Sequence, residues 1–150
     1  MRMYKTVLLC YDGSMEGRKA LREGALLARA MGAQTHLLAI CRDLASTMVP
    51  EGVTSTLVEC EEHVAQSILN QGVDKLHELG IDAQGTLLIG DPLVHIPSYA
   101  AKIDADLVVV GYKQRSRFAR WWSDSPQPVL LHKMSCSLLV AMNTDPPPPS

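Results

Sequence analysis

The stretch DLVVVGYKQRSRFARWWSDS, residues 106–125, joins a continuous apolar run to a long polar and basic loop. The run at residues 107–110 is typical of a buried strand, because strands covered by helices on both faces are apolar throughout instead of alternating. Four further runs of this kind occur along the chain, with helical patterns between them. The five predicted strands are residues 6–10, 35–41, 85–89, 107–110 and 137–142. This order predicts an α/β fold, a three-layer sandwich with helices on both faces of a parallel sheet.

The helices between the strands are predicted from apolar spacing and from residues that begin or end helices. A first helix is expected over residues 14–31, with Gly32 at its C-terminal end. A second is expected over residues 55–79, a third begins at Asp91 and Pro92, and a fourth covers residues 125–133. The second helix is predicted to bury one stripe, made of Val64, Ala65, Ile68, Gly72, Leu76 and Leu79.

The length of 150 residues predicts a single domain, residues 1–144, that can bury a core without disulfides or metals. The tail at residues 145–150 reads DPPPPS and is expected to be extended or disordered. The net charge of −2 lacks the basic excess typical of proteins that bind nucleic acid or anionic membranes, so neither partner is expected. The apolar runs are too short for a signal peptide or a transmembrane helix, which predicts a cytoplasmic protein.

The residues that usually carry catalysis form no recognisable constellation in the sequence. The histidines are scattered, without the HExxH or His/Cys spacing of a metal site. Ser14 and Ser125 lack the G-x-S-x-G setting of a hydrolase, and there is neither a G-x-x-x-x-G-K-[ST] loop nor a strand that opens into G-x-G-x-x-G. The four cysteines form no CxxC pair and are predicted to be buried thiols. We therefore expect that the protein is not an enzyme.

Four segments in order carry a resemblance that extends over residues 3–143. They are YKTVLLCYDGS at residues 4–14, LLIGDP at 87–92, DLVVVG at 106–111 and HKMSCSLLVAM at 132–142. In these segments the chain resembles the universal stress protein family. The resemblance implies a five-stranded sheet of order 3-2-1-4-5, in which ligands bind beyond the carboxyl ends of the first and fourth strands. The residues that would line this crevice are Cys10, Tyr11, Asp12, Ile40, Val110, Gly111 and Ser125.

The resemblance carries four of these positions over as nucleotide contacts, namely Asp12, Ile40, Gly111 and Ser125. Tyr11 departs from the small or aliphatic residue usual in the family, so its ring would either fill part of an adenine pocket or stack on a base. Asp12 has a second interpretation, because an aspartate before Gly-Ser is also ordinary turn and cap chemistry.

The family's ATP-binding members carry G-x2-G-x9-G-[ST] after the fourth strand, and this chain keeps only the ends of that motif. Gly111 and Ser125 match, whereas Gln114 and Asp124 replace glycines whose backbone would approach the phosphates closely. Asp124 would also place a carboxylate just before a helix, where an anion site normally lies. Cations in the same loop could bind an anion through their side chains instead of the backbone; they are Lys113, Arg115, Arg117 and Arg120.

These observations predict no required cofactor, with ATP as the candidate ligand. The expected function is that of a non-catalytic, dimeric stress-response module that acts through partner contacts and binds ATP weakly or not at all. The alternative is an ATP-binding switch in which Lys113, Arg115 and Arg117 replace the lost glycine cradle. A third and weaker alternative is a nucleotidyl-transfer enzyme of related α/β architecture.

Two surfaces are predicted to contact other chains. The last strand, Ser137–Met142, is uncharged, and as an edge strand it would expose unpaired backbone groups. Family members commonly pair this strand across a two-fold axis, so the resemblance implies a homodimer. Adjacent Trp121 and Trp122 lie in the arginine-rich loop and suggest a protein-binding surface. The other interpretation is that one ring covers the sheet edge and the other stacks on a nearby arginine.

Overall fold

The computed structural model describes residues 3–11, 15–41, 55–90, 92–112 and 133–142. Five parallel strands form one sheet in the order β3-β2-β1-β4-β5, which confirms the predicted topology. The strands are β1 (Thr6–Cys10), β2 (Gln34–Cys41), β3 (Gln84–Ile89), β4 (Leu107–Tyr112) and β5 (Ser137–Met142). β2 and β3 begin one residue earlier than predicted, and β4 continues two residues further.

Three helices lie between these strands: α1 (Met15–Met31), α2 (Ser55–Glu78) and α3 (Pro92–Lys102). Pro97 lies inside α3 and does not end it. The helix predicted over residues 125–133 falls almost entirely on residues 113–132, which lie outside the described residues. Among the helices that the structure describes, none has the length and hydropathy needed to cross a bilayer.

The sheet buries one apolar cluster on each face, as the unbroken apolar runs predict. On the α1/α2 face, odd-numbered strand residues such as Leu9, Leu37 and Val109 pack against Ala25 of α1 and Leu76 of α2. On the α3 face, even-numbered strand residues pack against Ile96 and Ala100; these strand residues are Leu8, Cys10, Leu38, Val108 and Val110. Successive side chains of a strand point to opposite faces, so each strand contributes to both clusters.

The predicted buried stripe of α2 is wrong at one residue. Val64 is 58% exposed, whereas Leu69, Gly72 and Leu76 are buried. A helix turns about 100° per residue, which places Val64 roughly a third of a turn away from the line through those three residues. Leu69, which the prediction omitted, occupies the buried position instead.

The three helices end in the same way, with a residue in the left-handed region that closes the last turn. Gly32 (φ 62°) and Gly80 (φ 81°) follow α1 and α2, and Asp104 (φ 56°) follows α3. In each case the next residue donates a backbone hydrogen bond of 2.9 Å to the carbonyl five residues earlier. This pattern satisfies carbonyls that the helix leaves without a partner. It confirms the prediction for Gly32.

Asp106 ties three strands together at the amino end of the sheet. Its carboxylate accepts hydrogen bonds from the backbone N–H groups of Lys5 (2.8 Å) and Thr6 (2.9 Å). Its own N–H donates to the Thr6 carbonyl, and its carbonyl accepts from Ser137 of β5. The hydrogen bond from Thr6, followed by the one from Lys5, lowers the pKa of the Asp106 carboxyl. The charged carboxylate therefore stabilises the start of β1.

Asp106→Asn is expected to lower the melting temperature at pH 7 by several degrees, because a neutral amide replaces an anion that accepts two N–H bonds. A carboxyl whose pKa is lowered on folding stabilises above its unfolded pKa of about 3.9, and this stabilisation is lost as the pH falls through the folded pKa. The difference between wild type and variant should therefore shrink when thermal unfolding is repeated near pH 3. Asp82→Asn, at an exposed position, is the control. An equal difference at both pH values would show that the charge is not what matters.

Candidate functional site

The strand order reverses direction at β1 and β4, and the carboxyl ends of these strands form the candidate site. From β1 the chain moves to β2 and β3 on one side, and then crosses to β4 and β5 on the other side. Crossovers at such a point leave the helices on opposite faces, which opens a crevice beyond the strand ends. β1 ends at Cys10, β2 at Cys41 and β4 at Tyr112.

Three of the crevice residues lie together on the α3 face. Cys10 and Val110 are buried, and Ile40 is partly buried against the same cluster. The β1–β4 register pairs Leu9 with Val109, so Val110 follows beside Cys10 on the neighbouring strand. Cys10 pairs with Leu38 of β2, and Ile40 lies two residues further toward the carboxyl edge. These side chains form an uncharged floor beneath α3, in which Ile40 is partly buried and Cys10 and Val110 are buried.

Tyr11 lies on the opposite face of the sheet from Ile40 and Val110. Its N–H donates to the Leu38 carbonyl at 3.0 Å, which continues β1 by one residue. The ring is only 5% exposed and belongs to the α1/α2 cluster. A Cβ added to Gly72 of α2 would lie 3.0 Å from the ring atom Cδ1 and 2.6 Å from Cδ2 of Leu37. Gly72 therefore lets α2 pack closely over the ring. Tyr11 packs in the core between β1 and α2, a role that the resemblance to the family did not predict.

Gly111 is the last glycine that the structure describes before the basic loop. It pairs with Ala141 of β5 and is buried within the sheet. The other predicted contacts, Asp12 and Ser125, lie outside the described residues, together with all residues from 113 to 132. The residues of this loop for which the sequence predicts a role are Lys113, Gln114, Arg115, Arg117, Arg120, Trp121, Trp122, Asp124 and Ser125. Their roles stay predictions.

The cysteines near the site are packing residues in the described part of the chain. Burial raises the pKa of the Cys10 thiol to about 12, which leaves it without the thiolate character of a nucleophile at neutral pH. Cys10 and Cys41 are buried as predicted, whereas Cys136 is only half-buried. The side chain of Cys60 lies outside the described residues. In the described ranges no three His, Cys, Asp or Glu side chains converge as a metal site would require.

The turn from β3 to α3 adds a feature at this edge that the sequence analysis missed. The imidazole of His95 donates from Nε2 to the Ile89 carbonyl at 2.8 Å. Gly90 has φ 137°, and a Cβ there would lie 2.6 Å from that Nε2. The N–H of Gly90 donates to the Cys41 carbonyl at 2.9 Å, which joins the turn to the end of β2. The sequence LLIGDPLVH, in which a histidine follows Gly-Asp-Pro by three residues, could have indicated this hydrogen bond. Its role is to hold the start of α3.

Comparison with known proteins places this arrangement in context. The family model described as universal stress protein family matches residues 3–141. The search of curated proteins gives no significant match. A universal stress protein family member from Burkholderia pseudomallei superposes with a TM-score of 0.73 at 22% identity, covering 93% of this chain and 97% of the other.

Two further structures contain nucleotides. A universal stress protein in complex with cAMP has a TM-score of 0.68 at 21% identity, covering 92% of this chain and 97% of the other. The universal stress protein from Archaeoglobus fulgidus in complex with dAMP has a TM-score of 0.64 at 20% identity, covering 93% of this chain and 98% of the other. At these identities the superpositions show a shared fold.

Proposed function

The chain belongs to the universal stress protein family, and from this premise we propose that it is a cytoplasmic, dimeric, non-catalytic module of a stress response. It acts through contacts with partner proteins and binds ATP weakly or not at all. One observation carries the proposal: Cys10, Ile40 and Val110 form an uncharged floor at the described part of the edge. This floor supplies no charge for a phosphate, and in the loop after Tyr112, where the family resemblance predicts the phosphate contact, Gln114 and Asp124 replace glycines.

The size of the electrostatic effect supports weak binding. Two unit charges about 4 Å apart interact by roughly 4 kcal/mol at an effective dielectric near 20. A ligand with micromolar affinity is held by only about 8 kcal/mol in total. A carboxylate of Asp124 beside a phosphate would therefore remove about half of the binding free energy that a micromolar site needs. The loop cations reduce this loss without supplying the backbone cradle.

The proposed dimer rests on the exposed edge of β5. In the described part of the chain β5 pairs only with β4, so its other edge has no strand partner there. Leu138, Leu139 and Val140 are only partly buried, and the strand carries neither a charge nor a proline. Such an edge is a template for pairing with another strand. Pairing of two β5 strands about a two-fold axis would extend the sheet through both protomers.

Leu139→Lys tests the dimer. A lysine at this half-buried position can extend its ammonium toward solvent, but across a two-fold axis it brings two cations together and desolvates them. We expect sedimentation to show a shift from dimer to monomer, with the dimer dissociation constant raised at least about tenfold, or about 1.4 kcal/mol. Val64→Lys is the control, because Val64 is an exposed residue of α2, which packs on β2 and β3 at the other side of the sheet. A dimer that persists equally in both variants would place the interface elsewhere.

Trp121 and Trp122 are the proposed contact with protein partners, since tryptophan and arginine are the side chains that most often dominate interface energies. They lie beside Arg117 and Arg120 in the sequence. Replacing both tryptophans with alanine should abolish capture of a partner in a pull-down while leaving the β5 dimer intact. Unchanged capture would argue for another surface.

A second candidate function is an ATP-binding switch, and the nucleotide complexes of two structural neighbours favour it. In this case Lys113, Arg115 and Arg117 would hold the phosphates, Ile40 would contact the base, and binding would reshape the loop at residues 112–124. A wild-type protein that binds Mg-ATP with micromolar affinity, with loss of that affinity in Arg115→Ala, would select the switch over the non-binding module.

A further inference from the structure

A buried polar cluster lies beneath α3, on the same face of the sheet as the floor of the candidate site. His36 of β2 is only 6% exposed. Its ring meets the ring of Tyr99 of α3 edge to face, with 6.4 Å between centroids and an angle of 73°. The Tyr99 hydroxyl lies 2.9 Å from Oγ1 of Thr86 on β3, which fixes the tyrosine over the histidine. The three side chains connect α3 to two strands.

His36 is poorly equipped to carry a charge at this position. Its Nδ1 is buried and has no hydrogen-bond partner among the described residues. Burial lowers the pKa of the imidazole. Of the ion pairs within the described ranges, none includes His36. The neutral imidazole is therefore the form that this packing accommodates.

The residues paired with His36 on the neighbouring strands carry no charge that would stabilise an imidazolium. β1 places the fully buried Leu8 beside His36, and β3 places the uncharged Gln84 there. The described titratable groups that pack on this face are Tyr99 and the thiols of Cys10 and Cys136, and the ammonium of Lys102 lies 6.0 Å from the centroid of the Tyr99 ring. Protonation would place a second cation near the ring that already faces Lys102, and the repulsion between the two cations would offset the attraction of the ring for an imidazolium. It would also create an Nδ1–H donor without an acceptor, which costs free energy in a buried site.

α3 is the element that can move most easily when His36 is protonated. It has 11 residues and contains Pro97, which removes one helical hydrogen bond. Its buried contacts with the sheet come from Ile96 and Ala100. Movement of a short helix with few buried side chains costs less than opening the five-stranded sheet.

We propose that His36 is a proton-sensitive latch for α3, which holds the helix on the sheet when neutral and releases it when protonated. A histidine whose pKa is lowered by packing stabilises the closed form above its ordinary pKa of about 6.5, and this stabilisation declines as the pH falls below that value. Ile96 belongs to the same cluster as Cys10 and Val110. Release of α3 in acid would therefore uncover the floor of the candidate site, whether or not that site binds a nucleotide.

The test is hydrogen exchange of the full-length protein without nucleotide, analysed as protection factors at pH 7.5 and pH 5.5. In wild type we expect the protection of α3 to fall about tenfold relative to α1, because pH 5.5 lies about one unit below the ordinary histidine pKa of about 6.5 that applies once α3 is released. His36→Phe keeps an aromatic edge against Tyr99 but cannot be protonated, so its α3 protection should not depend on pH. His77→Gln, at an exposed position of α2, is the matched control and should behave like wild type.

Two results would overturn the latch: α3 protection that does not change with pH in wild type, or a pH dependence that persists in His36→Phe. If His36→Phe does not fold, the rate of thiol modification in the wild-type protein is the second test. Dithiodipyridine, which reacts with thiols in acid, should modify Cys10 faster at pH 5.5 than at pH 7.5 after correction to an unfolded reference, relative to the half-buried Cys136. An unchanged ratio of the two rates contradicts the proposal.

Discussion

Replacing Gln114 and Asp124 together with glycine should turn the protein into a micromolar binder of Mg-ATP. The two glycines would restore backbone N–H groups that can approach the phosphates, and the change would remove a carboxylate from the predicted anion site. Relief of a repulsion of roughly 4 kcal/mol corresponds to an affinity gain of about 100- to 1,000-fold. Isothermal titration calorimetry of both proteins measures the gain directly.

The matched control for this variant is Gln114→Ala combined with Asp124→Asn. It removes the charge of Asp124 but keeps a Cβ at both positions, so we expect only part of the gain. A control that binds as tightly as the glycine variant would show that charge alone prevents binding. A glycine variant that binds no better than wild type would show that the two substitutions are not the barrier.

The second large effect is expected at Tyr11, where alanine should lower the free energy of unfolding by about 3–5 kcal/mol. The ring is buried in the α1/α2 cluster and lies against Gly72, so its removal leaves a cavity between β1 and α2. Tyr11→Phe keeps the ring, and we expect it to stay within about 1 kcal/mol of wild type. Urea denaturation followed by circular dichroism measures both.

The same pair of variants distinguishes packing from ligand contact at Tyr11. If the ring only packs, Tyr11→Phe in the Gln114→Gly, Asp124→Gly background keeps the full ATP affinity. A large loss of affinity in that background, with unchanged stability, would instead assign the Tyr11 hydroxyl to the ligand. If Tyr11→Ala is as stable as wild type, the ring does not belong to the core.

The sheet could be predicted because its strands are buried on both faces and therefore read as unbroken apolar runs. Strand ends were less certain, since backbone pairing extends β2 to Gln34 and β4 to Tyr112, beyond the apolar residues. The face of the sheet on which Tyr11 lies could have been predicted from the alternation of side chains along a strand, because Val7, Leu9 and Tyr11 are spaced by two residues.

Other features depend on contacts between residues far apart in the chain, which local patterns do not contain. The carboxylate of Asp106 bonds the backbone of Lys5, 101 residues away. His36 meets Tyr99 only because α3 crosses the sheet above β2. The exposure of Val64 follows from how α2 is rotated on the sheet, which the positions of Leu69 and Gly72 decide. The apolar content of the helix alone does not fix that rotation.

This universal stress protein has the five-stranded sheet of order 3-2-1-4-5, and we propose that it lacks a tight ATP site. The most direct measurement is a titration of nucleotide-free wild-type protein with Mg-ATP, followed by the fluorescence of Trp121 and Trp122, after analysis of denatured protein for bound adenine nucleotide. We predict no co-purified nucleotide and no saturation below millimolar ATP. Bound nucleotide, or saturation in the micromolar range, would contradict the claim and establish the basic loop as a working phosphate site.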